Sequence, residues 1–358
     1  MSQNLLILAG KSAYNHIRER GLSPSDITVV MGASGAAKWL VLYGLDSAIF
    51  SHWFKGRKQP LYLFGTSIGA WKFAAAAQGD PVGALDRLRE AYTHQTYKGR
   101  VTPAKVSEES LRIIDLLLPP GSIEQILSHP YLRISFSAVR CKGLMGKKHH
   151  MTLSVGMLSA FALNVLSRKL QKLYFERTVF HDSRNTSTVL DMTDFTLNRV
   201  QLTLENFHEA LLATGSIPLI MEGIENIEGA PKGMYRDGGI LDYHPAFPLR
   251  PKTKGLILYP HFYPHLTLGW FDKRFPKRRA KADVLDQTVI LAPSPEFVSR
   301  LPFGRIPDRK DFVRLAGKDE ERIQAWEKAA SMSLGLGEAF LEAVETGRIR
   351  DEVKLMES

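Results

Sequence analysis

Twice within its first eighty residues the chain runs an apolar strand into a glycine-bearing turn and straight on into a helix. This repeated unit constrains the fold more than any other feature of the sequence. Ile27 to Met31 reads as a buried strand ending at Gly32, followed by a largely apolar helix over Ala36 to Phe50; Leu61 to Phe64 and Ser67 to Gln78 repeat the pattern. Two successive strand-helix units imply parallel neighbours, because each helix carries the chain back before the next strand starts, and helices then cover the faces of the sheet. The expected class is α/β, with a mostly parallel central sheet flanked by helices.

The remaining pattern extends this reading. Asp80-Pro81 stops one helix and starts the next, Val82 to His94, and Ser107 to Leu118 is helical up to Pro119-Pro120-Gly121. Leu132 to Val139 alternates with strand period, and Lys142 to His150 is a basic turn that would close a hairpin. Ser154 to Glu176 reads as one long helix, Phe195 to Leu202 as a strand and Leu204 to Thr214 as a helix. Met234 to Asp237, Gly255 to Tyr259 and Thr288 to Leu291 are further short strands, and Lys318 to Thr346 is a charged amphipathic helical region. The expected organisation is an N-terminal extension over 1–26, a main domain over 27–260, and a basic loop with helices over 261–358 packed on the same domain.

Three stretches carry chemistry. Gly65-Thr66-Ser67-Ile68-Gly69 sits between a strand and a helix, where Gly65 and Gly69 permit a sharp turn and Ser67 is thrust outward at a helix N-terminus. Taken alone the pattern is also a tight turn with a capping serine; the strand before it and the helix after it favour a nucleophile. Tyr235-Arg236-Asp237-Gly238-Gly239 puts an acid at a strand end with two glycines behind it, a sequence that equally suits a plain hairpin turn. Gly32-Ala33-Ser34-Gly35 ends the first strand unit in small residues, leaving backbone amides free to hold an oxyanion or a phosphate. It lacks the Gly-Lys-Ser/Thr ending of a nucleotide loop and the spacing of a dinucleotide fingerprint.

Composition removes several function classes. The single cysteine, Cys141, excludes an intrachain disulfide and reads as a small buried hydrophobe in a reducing compartment. The N-terminal apolar run Leu5 to Ala9 has no basic segment before it, so no signal peptide is expected, and Val155 to Leu166 is too short to span a bilayer. A formal net charge of +10 favours anionic surfaces, but with no zinc-finger cysteines, aromatic RNA-binding signature or helix-turn-helix, nucleic acid is not expected. No metal is implied, since His149-His150 lies in the basic turn and no acid or histidine set has ligand spacing; no other cofactor is implied. The expectation is a cytoplasmic protein with peripheral membrane contact.

In this order the three stretches, with Ala213-Thr214-Gly215-Ser216-Ile217-Pro218 before the last of them and Pro245 after it, resemble the patatin-like phospholipase family from about Ile27 to Leu249. The resemblance implies a three-layer patatin-like fold and a lipid acyl hydrolase working through an acyl-enzyme, with Ser67 as nucleophile and Asp237 as general base. It further implies an oxyanion hole at Gly32, Ala33, Ser34 and Gly35 with Ile68, the turn glycines Gly65 and Gly69, and support from Gly238 and Gly239. The family loop reads Gly-Gly-Gly-x-Arg/Lys-Gly, whereas Val30-Met31-Gly32-Ala33-Ser34-Gly35 keeps two of its glycines and has Ser34 where a basic residue is usual.

Two other readings stand beside this one. An α/β-hydrolase would add a histidine to Ser67 and Asp237, and His244, His261 and His265 follow in the right order. A lipid-binding protein could keep the fold without turnover. For membrane contact, Tyr259 to Lys281 gathers aromatic residues beside Lys273, Arg274, Lys277, Arg278, Arg279 and Lys281, a pairing suited to the headgroup level of an anionic bilayer; a solvated basic loop has the same composition.

Overall fold

The computed structural model describes residues 4–97, 99–185 and 189–356. Its strands are β1 (Leu5–Ala9), β2 (Ile27–Gly32), β3 (Leu61–Gly65), β4 (Leu132–Cys141), β5 (Phe175–His181), β6 (Leu197–Gln201), β7 (Ile224–Glu225), β8 (Met234–Asp237), β9 (Leu256–Pro260), β10 (Thr288–Pro293) and β11 (Lys354–Leu355). They form one sheet in the order β11-β1-β10-β9-β2-β3-β4-β5-β6, with β8 beside β4 and β7 beside β8. Strands β10, β9, β2, β3 and β4 are consecutively parallel, as the alternation predicts, and helices flank the sheet. The central strands are apolar throughout because both faces are covered; Val29, Val30, Leu63 and Ile134 have no exposed surface.

The structure differs from the sequence reading in four places. Residues 5–9, inside the segment read as an extension, form β1, which pairs antiparallel with β10. The predicted long helix 154–176 is a helix over His150–Leu166, an extended Ser167 that ends it, a 3-10 turn over Arg168–Leu173, and then β5. Strand β5 carries a charged residue, Arg177, that is wholly buried and paired with Asp242 and Asp194, partners distant in the sequence. The basic turn after β4 therefore closes no hairpin; the antiparallel neighbours of β4 are β5 and β8. The predicted helix 36–50 is a 3-10 turn over Ala36–Leu42, an α-helix over Tyr43–Ala48 and a π turn over Ile49–Trp53.

Strand β4 is what positions the site. Its first half pairs in parallel with β3, ending with Gly65 opposite Phe136, and its second half pairs antiparallel with β8, where Asp237 lies opposite Ala138. The end of β8 is thus brought to the end of β3, where the chain turns into the helix Ile68–Ala76.

That helix is fixed by a buried ion pair. Lys72, 2% exposed, donates to both oxygens of Asp46 at 2.8 and 3.0 Å, and the Trp39 indole donates to the same carboxylate at 2.9 Å. Removing one partner of a buried pair leaves the other charge unsolvated. Lys72→Met is therefore expected to destabilise the fold by about 3–5 kcal/mol in urea unfolding at pH 7, and Lys72→Met/Asp46→Leu to recover part of the loss. Equal stability of the single and double variants would contradict this account.

Candidate active site

Ser67 follows β3 at φ 54° and ψ −130°, the strained conformation of a strand-to-helix elbow, and it is 7% exposed. The turn closes because three glycines let backbones touch: a Cβ on Gly69 would lie 2.4 Å from the Gly32 carbonyl group, and one on Gly65 would lie 2.6 Å from Gly69. The Ser67 hydroxyl donates to Asp237 Oδ2 at 2.9 Å, while Asp237 Oδ1 accepts the Gly239 amide at 2.6 Å. Gly238 is required by packing, since a Cβ there would fall 2.0 Å from the Ser137 carbonyl oxygen. Burial pushes the Asp237 carboxyl up to about 6, against the Gly239 amide, the Ser67 hydroxyl, Lys273 and Arg309, which all favour its charged form.

A layer of polar residues holds this pair. The Ser67 amide donates to Thr214 Oγ1 at 3.0 Å, and the Thr214 hydroxyl donates to the Ser137 carbonyl at 2.6 Å. The Thr66 hydroxyl donates to the Asp242 carbonyl, and the Asp242 carboxylate accepts two bonds of 2.7 Å from Arg177. Sequence reasoning singled out none of Thr66, Thr214, Asp242 and Arg177 as site residues. Thr66 and Thr214 lie inside stretches that were recognised, but nothing in the sequence marks Arg177.

The glycine loop is divided in its contacts. Gly35 and Ala36 line the cavity above Ser67, and Ala36, with φ 53°, is a second non-glycine residue in the left-handed region at this site. Ile68 heads its helix, where an amide has no partner within the helix. Ser34 differs from expectation: its amide donates to the Tyr243 carbonyl at 2.9 Å and its hydroxyl is bonded to that of Thr66, so it braces the loop and has no amide left for a ligand. Gly32 ends β2 opposite Gly65, its carbonyl accepts the Thr66 amide, and its place is in the packing beneath the turn. Ala33 is buried and does not line the cavity.

Two cavities meet at Ser67, one bordered by several charged side chains and the other lined mainly by apolar ones. One, about 510 Å³, also takes in Asp237, Lys38, Lys273, Asp308, Arg309 and Lys310. The other, about 340 Å³, runs past Ile68, Trp71, Val106, Ile113, Ile220 and Phe312. Ser67, Ala36, Ile217, Arg309 and Lys310 border both.

Among the described residues no histidine is hydrogen-bonded to Ser67 or Asp237. His244 lines the polar cavity and accepts the Thr267 amide at Nδ1; His261 is fully buried and accepts the Tyr263 amide, and burial pulls both well below the usual histidine range. His265 lines the same cavity. Cys141 is buried in β4, and burial pushes its thiol up to about 12.

The basic segment is split between environments. Lys273 opens into the polar cavity with its ammonium 3.6 Å from the Tyr243 ring centre. Arg278 is half-buried and donates to the carbonyls of Asn164 and Val165. Arg274, Lys277, Arg279 and Lys281 are exposed. Among the described residues no helix is long and apolar enough to cross a membrane, and no group of three His, Cys, Asp or Glu side chains is placed to hold a metal ion.

A family model described as patatin-like phospholipase matches residues 32–250, more than half of the chain. Among solved structures, the chain is similar to VipD from Legionella pneumophila, with 12% identity, a TM-score of 0.35, and coverage of 93% of this chain and 72% of that one. It is also similar to human GIVD cytosolic phospholipase A2, with 12% identity, a TM-score of 0.33, and coverage of 94% of this chain and 63% of that one. No curated protein matches by sequence.

Proposed function

The chain belongs to the patatin-like phospholipase family, and on that premise we propose that it is a lipid acyl hydrolase working through a Ser67–Asp237 dyad and an acyl-enzyme. The observation that carries this reading is the direct 2.9 Å bond from the Ser67 hydroxyl to a buried carboxylate with a raised pKa, at the junction of an apolar and a polar cavity. A serine hydroxyl becomes a nucleophile when a base takes its proton, and a carboxylate near 6 is a better base than one near 4.

In this mechanism the acyl chain lies in the apolar cavity and the alcohol portion in the polar one. Ser67 Oγ attacks the ester carbonyl as its proton passes to Asp237. The amides of Gly35, Ala36 and Ile68 are the candidate donors to the resulting oxyanion. Collapse of the intermediate breaks the ester C–O bond, the leaving alkoxide takes the proton from Asp237, and the acyl group stays on Ser67. Water then attacks the acyl-enzyme with Asp237 again as base, releasing the fatty acid.

Direct contact between acid and serine supports the dyad over a triad, because no imidazole stands between them. His244→Gln, His261→Gln and His265→Gln are each expected to retain turnover of a p-nitrophenyl ester within about tenfold of the parent. A folded histidine variant as inactive as Ser67→Ala would transfer the role to that imidazole. Labelling by a fluorophosphonate separates a working hydrolase from a lipid-binding relative without turnover: covalent capture at Ser67 is expected. For peripheral contact with an anionic membrane, the exposed cations Arg274, Lys277, Arg279 and Lys281 remain available beside the cavity-lining Lys273, whereas Arg278 is held by backbone carbonyls. We place the protein in the cytoplasm on the same reading.

A further inference from the structure

The 17-residue helix His150–Leu166 carries apolar residues on its outward side as well as its buried one. Its buried face is made of Leu153, Gly156, Ala160 and Asn164, mostly small residues, and it packs so closely that a Cβ on Gly156 would lie 3.0 Å from the Leu144 side chain. Several of its larger apolar residues point the other way. Met151 is 72% exposed, Val155 56%, Leu158 70% and Leu166 75%, and the spacing of four, three and eight residues lines them along one side. Leu173, in the turn that follows, adds another apolar side chain at 62% exposure. A soluble surface scatters single apolar residues; a continuous stripe of this size marks a face that something covers.

Charge identifies the occupant. From Lys142 to Phe175 the sequence contains six lysine or arginine residues and not one aspartate or glutamate. Lys147, Lys169 and Lys172 are exposed and, among the described residues, form no ion pair. A second copy of the chain meeting this face about a two-fold axis would set cations against cations. Anionic headgroups over hydrocarbon match both the charge and the apolar stripe.

Position ties the face to the site. Phe161 packs against Phe271 and Phe275, at ring separations of 6.4 and 6.3 Å, and Arg278 fastens the end of the helix through the Asn164 and Val165 carbonyls. Trp270 and Lys273, in the turn carrying Phe271, line the polar cavity above Ser67.

We propose that the outward face of helix His150–Leu166 is the surface by which the protein docks on an anionic lipid bilayer, holding the mouth of the polar cavity beside the membrane. The choice of a bilayer as partner rests on the lipid-ester reading of Ser67; the binding itself does not require catalysis, and the test keeps the two apart. Binding is measured in the Ser67→Ala background by sedimentation with vesicles of dioleoylphosphatidylglycerol and dioleoylphosphatidylcholine in equal parts, and with dioleoylphosphatidylcholine alone. The protein is expected to bind the anionic vesicles, and Val155→Gln/Leu158→Gln to weaken that binding at least about tenfold. Lys169→Glu/Lys172→Glu is expected to weaken it at least about tenfold at low salt, since each basic residue contributes about fivefold. In protein with Ser67 intact, both double variants should hydrolyse a soluble short-chain ester as the parent does. Vesicle binding with no ester hydrolysis would remove the hydrolase reading and leave the docking face standing. Unchanged vesicle binding by Val155→Gln/Leu158→Gln would overturn the proposal, and so would a dimer of the parent that ignores vesicles and is dissolved by the same substitutions.

Discussion

Ser67→Ala is expected to lower ester hydrolysis by at least about 10⁴-fold, about 5.4 kcal/mol in the barrier, while leaving the protein folded. The hydroxyl makes one hydrogen bond, to Asp237, and alanine meets no greater penalty than serine at φ 54°, so the elbow keeps its shape. The contacts that close the turn belong to backbone atoms of Gly32, Gly65 and Gly69, which the substitution does not touch. Initial rates on p-nitrophenyl esters and on defined phospholipids, with circular dichroism as the control for folding, read the effect. A folded Ser67→Ala protein with parental turnover would end the assignment of this site.

Asp237→Asn should be nearly as inactive, and it should also be more stable. An amide cannot take the serine proton, so the loss is expected to approach that of Ser67→Ala. In the parent, kcat/KM should rise about tenfold per pH unit below about 6 and level off above it, because the base works only when ionised. The effect on stability follows from the same shift. Burial raises the folded carboxyl from the ordinary aspartate value of 3.8 to about 6, so its contribution to stability is full below about pH 4 and is lost as the pH rises through about 6. That loss is about 3 kcal/mol for a shift of this size. At pH 8 Asp237→Asn should therefore unfold a few degrees above the parent, and at pH 4 the two should be alike. Parental activity in the variant would remove Asp237 from the chemistry, and lower stability at pH 8 would show that burial does not strain its charge.

How much of this was legible in the sequence depends on whether a feature is local. The βα alternation showed because its apolar runs and glycine turns are contiguous, and β2, β3, β8, β9 and β10 fall where the pattern set them, within a residue or two at each end. The elbow and the Asp-Gly-Gly turn could be read because tight turns restrict residue type at consecutive positions. Strand β5 was hidden because burial of Arg177 depends on Asp242, 65 residues away, and no window along the chain contains both. Likewise β1 draws its partner from the far end of the chain, at β10.

The site divides along the same line. The sequence by itself marked out two candidates for chemistry, a serine at a strand-to-helix turn and an acid before two glycines, because each is set by the backbone geometry of its own few residues. Only the tertiary structure decided that they meet. Ser67 and Asp237 are 170 positions apart and are joined because β4 pairs with β3 along one half and β8 along the other. It also decided that Ser34 gives its amide to Tyr243, that Lys273 opens into the cavity while Arg278 caps a helix, and that Met151, Val155, Leu158 and Leu166 face outward. Each of these depends on which surfaces are covered after the chain has packed, and burial is a property of the assembled fold that residue order alone does not contain.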